Sequence, residues 1–224
     1  MFKIIGIDEA GKGPVIGSLF IAFAIIHLED KEEFSSYQQK LQDELGIKDS
    51  KKLSPKQRQF IYERLNEYMD VQFYQLAAPH IDGFHDQGGT LHELQLTMVV
   101  KMLEKERPNK VIIDALTANP EKFGGELYKR LSFPCEIVAE NRADHTYPLV
   151  SAASVVAKEL REEEVRQIKG HIGHDFGSGY PSDPKTKTFI SENWNRQDFQ
   201  PFIRRCWQTY KNAKQQSKDL GNYF

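Results

Sequence analysis

The chain is poor in the residues that stabilise small secreted proteins or mark membrane proteins. It has only two cysteines in 224 residues, Cys135 and Cys206, which are too few for a disulfide framework and too far apart for a zinc site. We expect two reduced thiols, as in a cytosolic protein. The apolar stretch 20–28 has nine residues, whereas a membrane-spanning helix needs about 20. With no signal-peptide pattern at the N-terminus, the sequence predicts a cytoplasmic protein that does not associate with membranes.

The chain also lacks an excess of charge of one sign. Its 30 Lys and Arg residues against 32 Asp and Glu residues give a net charge of −2, so any nucleic-acid site must be a local patch. Residues 48–58 carry five basic side chains and one acidic one, although on charge alone this segment is more typical of a solvated loop and helix start. With 39% hydrophobic residues, the composition is globular and excludes a disordered chain or a coiled-coil rod.

The pattern of apolar runs and turn residues predicts a mixed α/β sheet with a helical C-terminal region. Strands are predicted at 2–8, 15–28, 71–77, 110–115 and 135–140. Helices are predicted at 55–69, 90–107, 119–131, 148–169, 184–194 and 203–216, and residues 31–45 are either helical or irregular. The helices between the later strands imply parallel pairing there, while the first three strands can form a meander.

Acidic residues stand at the ends of several predicted strands. Asp8 and Glu9 close the first strand, Asp114 closes the fourth, and Asp144 follows the fifth. In open α/β sheets ligands collect at the carboxyl ends of strands, so Asp8 and Asp114 meet there if their strands are parallel neighbours. Taken singly, each aspartate is more simply explained as a turn or helix cap.

Taken together, these carboxylates need compensation. Two unit charges about 5 Å apart repel by roughly 3 kcal/mol at an effective dielectric constant near 20, and several pairs approach the ~5–15 kcal/mol stability of a domain. Bound cations or raised pKa values must therefore relieve the repulsion. Oxygen ligands without His or Cys favour Mg²⁺ or Mn²⁺ over zinc, which indicates metal-assisted phosphoryl chemistry.

The glycine-rich segment 6–17 nearly matches the phosphate-binding pattern G-x-x-x-x-G-K-[ST]. However, Gly13 stands where the metal-binding hydroxyl belongs, and Asp8 and Glu9 inside the segment would repel phosphate. A P-loop nucleotide-binding protein is therefore the weaker alternative. The glycines are better explained as letting backbone N–H groups approach a polynucleotide.

Five segments carry a resemblance to a known family, and they run in that family's order from residue 6 to about 194. They are GIDEAGKGPVIG (6–17), KDSKKLS (48–54), VIIDA (111–115), AENRADHTYPLVSAASVVAK (139–158) and GSGYPSDPKTK (177–187). On these segments the sequence resembles type 2 ribonuclease H, specifically ribonuclease HII of the archaeal and eukaryote-like subgroup. The resemblance implies a ribonuclease H-like fold, a mixed five-stranded sheet flanked by helices with a helical C-terminal extension.

The resemblance also implies an activity in DNA replication and repair. The expected enzyme is an endonuclease that hydrolyses the RNA strand of RNA–DNA hybrids and incises at ribonucleotides embedded in duplex DNA, leaving 3′-hydroxyl and 5′-phosphate ends. Asp8, Glu9, Asp114 and Asp144 correspond to its four catalytic carboxylates, which hold two divalent ions, Mg²⁺ or Mn²⁺. A non-catalytic nucleic-acid or clamp adaptor on the same fold is the competing hypothesis, but an adaptor would gain nothing from such carboxylate repulsion.

By the same resemblance, the substrate-binding residues fall into three groups. Gly11, Lys12 and Gly13 form the segment whose backbone senses the 2′-hydroxyl, a contact that distinguishes RNA from DNA. Tyr180 packs against the sugar, although alone it is equally well explained as a packing residue. The phosphate-side contacts are Ser50, Lys51, Lys52, Ser151, Ser154 and Lys158. Lys12 and Arg142 stand where many members carry Arg and Lys, so the strength of any bidentate phosphate contact there is open.

The chain is predicted to divide into a catalytic domain at 1–170, a helical region at 171–216 that packs on it and completes the substrate groove, and a tail at 217–224. In the tail, Leu220 followed by Tyr223 and Phe224 forms a short hydrophobic plug. It resembles the box that docks on DNA sliding clamps, with Ser217 in place of the usual Gln. A tail folded against its own domain is the alternative, and the protein is expected to be a monomer.

Overall fold

In the computed structural model, residues 1–47 and 53–221 are described, with side chains as far as residue 216. These residues form two compact units. The described residues of the sheet unit are 1–10, 20–47, 53–74 and 92–159, and those of the C-terminal unit are 11–19, 75–91 and 160–221.

Strands and helices alternate along most of the chain. The strands are β1 (Phe2–Ala10), β2 (Leu19–Leu28), β3 (Asp70–Leu76), β4 (Lys110–Asp114) and β5 (Glu136–Glu140). The helices are α1 (Phe34–Leu45), α2 (Pro55–Arg64), α3 (Ala78–Asp86), α4 (Leu91–Glu106), α5 (Pro120–Arg130), α6 (Ala143–Thr146), α7 (Pro148–Ile172), α8 (Pro184–Asn193) and α9 (Gln208–Gly221). None of the helices in the described part of the chain is long and apolar enough to span a membrane.

The five strands form one mixed sheet in the order β3-β2-β1-β4-β5. The first strand is antiparallel to β2 and parallel to β4, and β4 is parallel to β5. Strands β1 and β4 are rich in buried isoleucines and valine because both faces of a central parallel pair are covered. The predicted mixed five-stranded sheet flanked by helices is confirmed.

Local sequence signals explain where several helices begin. The Ser54 side chain accepts a hydrogen bond from the Gln57 backbone N–H, and the Ser54 backbone N–H donates to the Gln57 side chain, so α2 opens with a capping box followed by proline. The N-terminal part of α7 packs closely on β1, because a Cβ at Gly6 would lie 2.6 Å from the Leu149 carbonyl oxygen. Only glycine at this position allows that close approach.

The structure corrects the limits of three predicted elements. The strand predicted from residue 15 begins at Leu19, because Gly17 is left-handed (φ +92°) and Ile16 pairs with Ile203 in an isolated bridge. That pairing also keeps residue 203 extended, so α9 begins at Gln208. The helix predicted at 55–69 ends at Arg64 and continues as a 3₁₀ turn at 65–67. Helices α3 and α6 were absent from the prediction.

The C-terminal unit has an aromatic core of its own. Phe176, Phe189 and Phe199 are buried in one cluster, and the ring centroids of Phe189 and Phe199 lie 4.7 Å apart, edge to face. Trp194 and Trp207 pack against this cluster from its rim. The core therefore stabilises the loops at 11–19 and 173–183 that belong to the same unit.

Candidate active site

Strand register places two aspartates at one edge of the sheet. Ile7 on β1 is aligned with Ile113 on the parallel strand β4. The next residues along the two strands, Asp8 and Asp114, are therefore neighbours at the strands' carboxyl ends. This is the edge at which ligands bind in sheets of this kind.

A third aspartate joins this pair. Asp8, Asp114 and Asp144 each offer a carboxylate oxygen, and the three oxygens lie within 4.8 Å of one another. Asp8 and Asp144 are buried, with 7% and 4% of their surface exposed, and Asp114 is half-buried. The set contains no His or Cys ligand, so its oxygens match the ligand preference of Mg²⁺ or Mn²⁺.

The environment of Asp8 makes its ionisation costly in the absence of a cation. The pKa of Asp8 is raised from 3.8 to about 7, mainly by burial, and the hydrogen bond with Ser154 acts in the opposite direction. The charges of Asp114 and, less strongly, Asp144 contribute to this rise, while the Glu9 backbone N–H opposes it by donating to Asp8 Oδ1 at 2.7 Å. A bound cation would favour the charged form and remove this cost.

Glu9 is not one of the three residues whose oxygens converge within 4.8 Å. Its carboxylate accepts a hydrogen bond from the side-chain amide of Gln95, which is fully buried on α4. The other end of this amide, Gln95 Oε1, is buried without a hydrogen-bond partner among the described residues. An isolated buried oxygen is unfavourable, so the position of Gln95 is explained by its contact with Glu9. Sequence reasoning missed Gln95, which looks like an ordinary core position of an amphipathic helix.

Backbone geometry orients Asp114. The backbone N–H of Arg142 donates to Asp114 Oδ1 at 2.9 Å. Arg142 adopts the left-handed conformation (φ 61°), which is uncommon for a non-glycine residue, and Asp144 follows two residues later in α6. His145 is on the exposed side of this turn, with Nε2 3.7 Å from Asp144 Oδ1. The strained turn after β5 therefore orients Asp114 and Asp144 toward the shared cluster.

The first turns of α7 contribute a polar stripe to the sheet unit. Ser151, Ser154 and Lys158 are spaced at i, i+3 and i+7, which places them on one helix face. Ser151 and Ser154 are buried, and Lys158 is half-buried. Ser154 hydrogen-bonds to the Asp8 carboxylate.

The glycine–lysine–glycine loop and Tyr180 both belong to the C-terminal unit. Gly11 needs its left-handed conformation (φ +91°), and a Cβ there would lie 2.5 Å from the Ser18 carbonyl oxygen. A Cβ on Gly13 would touch the Tyr180 ring at 3.4 Å, so this glycine leaves space beside the ring. The Arg161 guanidinium stacks on the half-buried Tyr180 ring, 4.7 Å from its centroid, and donates to the Ser178 carbonyl at 2.6 Å.

Several predicted site residues lie outside the described residues: Ser50, Lys51 and Lys52, and, in the tail, the side chain of Leu220 with Tyr223 and Phe224. His171 and His174, two histidines three residues apart, lie in the described part of the chain and do not belong to the group of residues there that could hold a metal ion. Each of these histidines packs on an aromatic ring, His171 on Phe202 and His174 on Phe189.

The fold and the three carboxylates define a ribonuclease H-like protein. The chain is similar to the crystal structure of the ribonuclease H2 from Pyrococcus horikoshii OT3, with a TM-score of 0.83 and 35% identity over 97% of this chain and 99% of that one. It is also similar to the structure of the PCNA:RNase HII complex from Archaeoglobus fulgidus, with a TM-score of 0.78 and 32% identity over 92% of this chain and 96% of that one.

Sequence comparison specifies the family. Ribonuclease HII of Pyrococcus abyssi is 38% identical over 220 residues, which cover 96% of this chain and 93% of that protein. The family model described as Ribonuclease HII matches residues 5–210, and the chain belongs to this family. It is therefore a type 2 ribonuclease H, a hydrolase of the family that cleaves RNA in RNA–DNA hybrids.

Proposed function

We propose that this enzyme incises at single ribonucleotides embedded in duplex DNA, as well as in RNA–DNA hybrids, by metal-assisted hydrolysis that leaves 3′-hydroxyl and 5′-phosphate ends. Metal-assisted hydrolysis is supported by one observation: carboxylate oxygens of Asp8, Asp114 and Asp144 lie within 4.8 Å of one another. A cluster of buried carboxylates with a raised pKa at its centre is unfavourable for folding alone. Cation binding explains why the fold nevertheless brings these carboxylates together.

We assign Asp8, Glu9, Asp114 and Asp144 as the ligands of two divalent cations, Mg²⁺ or Mn²⁺. When bound, such a pair activates the attacking water and stabilises the leaving 3′-oxygen. The chain's own part is to hold the ligands: Ser154 and the Glu9 backbone N–H orient Asp8, Gln95 orients Glu9, and the Arg142 backbone N–H orients Asp114.

Recognition of the ribonucleotide is assigned to the loop Gly11-Lys12-Gly13 and to Tyr180. Backbone amides exposed by glycines suit the 2′-hydroxyl, the group that distinguishes RNA from DNA. The Tyr180 ring is supported on one face by Arg161 and suits stacking on a sugar. Ser50, Lys51, Lys52, Arg142, Ser151 and Lys158 are proposed as contacts to the phosphate backbone, which supply affinity without sequence preference.

The test is gel analysis of a duplex that carries one ribonucleotide in a labelled DNA strand, beside an RNA–DNA hybrid and an all-DNA duplex. We expect incision of the first two in Mg²⁺ or Mn²⁺ and none in chelator. Asp8→Asn should bind these duplexes but not cut them. Cleavage of the hybrid without incision at the single ribonucleotide would contradict the finer proposal, and near-wild-type cleavage by Asp8→Asn would remove Asp8 from the mechanism.

We further propose that the tail at 217–224 docks on a DNA sliding clamp through Leu220, Tyr223 and Phe224. The support is the aliphatic–aromatic pattern of the tail and the likeness of this chain to one in the PCNA:RNase HII complex. An apolar single-turn plug would bind in a hydrophobic groove on the partner.

Calorimetry with a purified clamp tests this docking. Replacement of both Tyr223 and Phe224 by alanine should abolish measurable binding and leave cleavage of a short hybrid unchanged, because those side chains are proposed only for the partner. The opposite change is Ser217→Gln, which introduces the usual first residue of the docking box and should tighten binding. Unchanged affinity after deletion of 217–224 would refute the assignment.

A further inference from the structure

A buried arginine lies beneath the glycine–lysine–glycine loop. Arg204 is fully buried, with 0% of its surface exposed, in the C-terminal unit. Its guanidinium donates three hydrogen bonds to backbone carbonyls: Nε to Gly17 at 2.8 Å, Nη2 to Gly11 at 2.6 Å and Nη1 to Lys12 at 3.1 Å. The Trp207 ring stacks on it at 4.9 Å.

A charge in this place is costly to the fold. Burial lowers the pKa of Arg204 to about 10, although the charge of Glu164 opposes this effect. An apolar side chain of similar size commonly fills such a space at less cost. The presence of a guanidinium here is therefore best explained by its hydrogen bonds, because its rigid, planar set of donors holds three carbonyls in fixed directions.

Holding a carbonyl also determines the direction of the next amide. The peptide unit is planar, and because the chain has no cis peptide bonds among the described residues, each C=O points opposite to the N–H of the following residue. Fixing the Gly11 carbonyl therefore aims the Lys12 N–H away from Arg204. Fixing the Lys12 carbonyl aims the Gly13 N–H in the same way.

We propose that Arg204 is a positioning residue that pre-orients the Lys12 and Gly13 amides toward the 2′-hydroxyl of the substrate, an inference that rests on the function proposed for this loop. Arg204 does not touch the substrate. It restricts the conformations of the loop before the substrate binds. The free-energy cost of ordering the loop is then not subtracted from the binding affinity.

The same loop offers a matched control. The indole N–H of Trp207 donates to the Gly13 carbonyl at 3.0 Å, but that peptide unit leads into Pro14, which has no N–H to aim. Trp207→Phe removes one hydrogen bond from the loop and keeps an aromatic ring against Arg204. Arg204→Lys keeps the charge but cannot span the three carbonyls. The inference predicts different outcomes for these two changes.

The experiment measures binding by fluorescence anisotropy in chelator, for a duplex with one ribonucleotide and for the all-DNA duplex. The ratio of the two dissociation constants reports recognition of the 2′-hydroxyl. We expect Arg204→Lys to reduce this ratio about tenfold, the size expected for one or two misdirected hydrogen bonds. Trp207→Phe should leave the ratio within about twofold of wild type. Phe199→Leu changes the aromatic core of the same unit but removes no hydrogen bond from Gly11-Lys12-Gly13, because a phenyl ring has no donor or acceptor group; it controls for lost stability.

The possible outcomes are distinct. A wild-type protein that does not prefer the ribonucleotide duplex contradicts the proposed function itself. A wild-type preference that Arg204→Lys retains, or that Phe199→Leu reduces equally at the same loss of Tm, overturns the role of Arg204. If Arg204→Lys does not fold, amide order parameters of the free wild-type protein decide: values near 0.85 at Lys12 and Gly13 support pre-orientation, and values below 0.6 refute it.

Discussion

Replacing Asp8 by asparagine should stabilise the metal-free protein while abolishing its activity. Asp8 is buried beside Asp114 and Asp144, and its pKa is raised from 3.8 to about 7. Asparagine has nearly the same shape and retains an oxygen that can accept the Glu9 backbone hydrogen bond. The substitution therefore removes the buried charge and its repulsion without opening a cavity.

The size of this stabilisation depends on pH. Below pH 3.8 the Asp8 carboxyl is protonated in both the folded and the unfolded states. Between pH 3.8 and about 7 the unfolded chain loses this proton while the folded chain keeps it, so the free energy of unfolding of the wild type falls as pH rises. At about 1.4 kcal/mol for each pKa unit, the full cost above pH 7 is about 4 kcal/mol, and it is about 2 kcal/mol at pH 5.

Thermal and urea unfolding in chelator at pH 5 and pH 8 measure this difference. For a chain of this length 1 kcal/mol corresponds to about 2–4 °C in Tm, so Asp8→Asn should melt about 10 °C above the wild type at pH 8 and by about half as much at pH 5. Saturating Mn²⁺ should narrow the gap, because it stabilises the wild-type cluster by mass action. Asp43→Asn, an exposed change on α1, should show neither effect. Equal Tm values at pH 8, or a gap that does not depend on pH, would refute the argument.

Substitutions at three further positions test other contacts. Gln95→Met, which removes the donor to Glu9 but keeps the side-chain length, should raise the Mn²⁺ concentration for half-maximal cleavage about tenfold with little change in Tm; an unchanged metal titration would show that Gln95 is only a packing residue. Tyr180→Phe should retain most incision at a single ribonucleotide and Tyr180→Ala should lose at least tenfold in kcat/KM, whereas equal losses would point to the hydroxyl rather than to ring packing. Gly6→Ala should destabilise the fold by about 1–3 kcal/mol in urea unfolding, because the added Cβ meets the Leu149 carbonyl at 2.6 Å, and a neutral effect would mean that α7 can move away from β1.

Much of the architecture could be predicted from local patterns. The apolar, β-branched runs of β1, β4 and β5 with helices between the later strands are sufficient to indicate a mixed sheet. The Ser54-Pro55 and Asp183-Pro184 pairs mark helix starts because the Ser54 and Asp183 side chains accept hydrogen bonds from backbone N–H groups of the first turn. These signals are readable because they involve residues only a few positions apart.

The predictions failed where distant segments decide the backbone. Residues 15–18 read as a continuation of β2, but the Ile16–Ile203 bridge and the left-handed Gly17 bend them away. Residues 203–207 read as helix, but the Arg204 backbone N–H donates to the Val15 carbonyl at 2.9 Å. Pairing between segments almost 190 residues apart overrides local helical preference.

By itself, the amino-acid sequence determined the family, the mixed sheet and the identity of the acidic residues, because motif spacing and hydrophobic periodicity are properties of the chain. Only the tertiary structure decided that Asp8, Asp114 and Asp144 share one space, since this depends on the β1–β4 register and on the turn at Arg142. It also revealed the contacts of two buried polar residues. Gln95 donates to the Glu9 carboxylate, and Arg204 donates to backbone carbonyls that include Gly11. Neither contact has a local sequence signature, because each joins residues that are far apart along the chain.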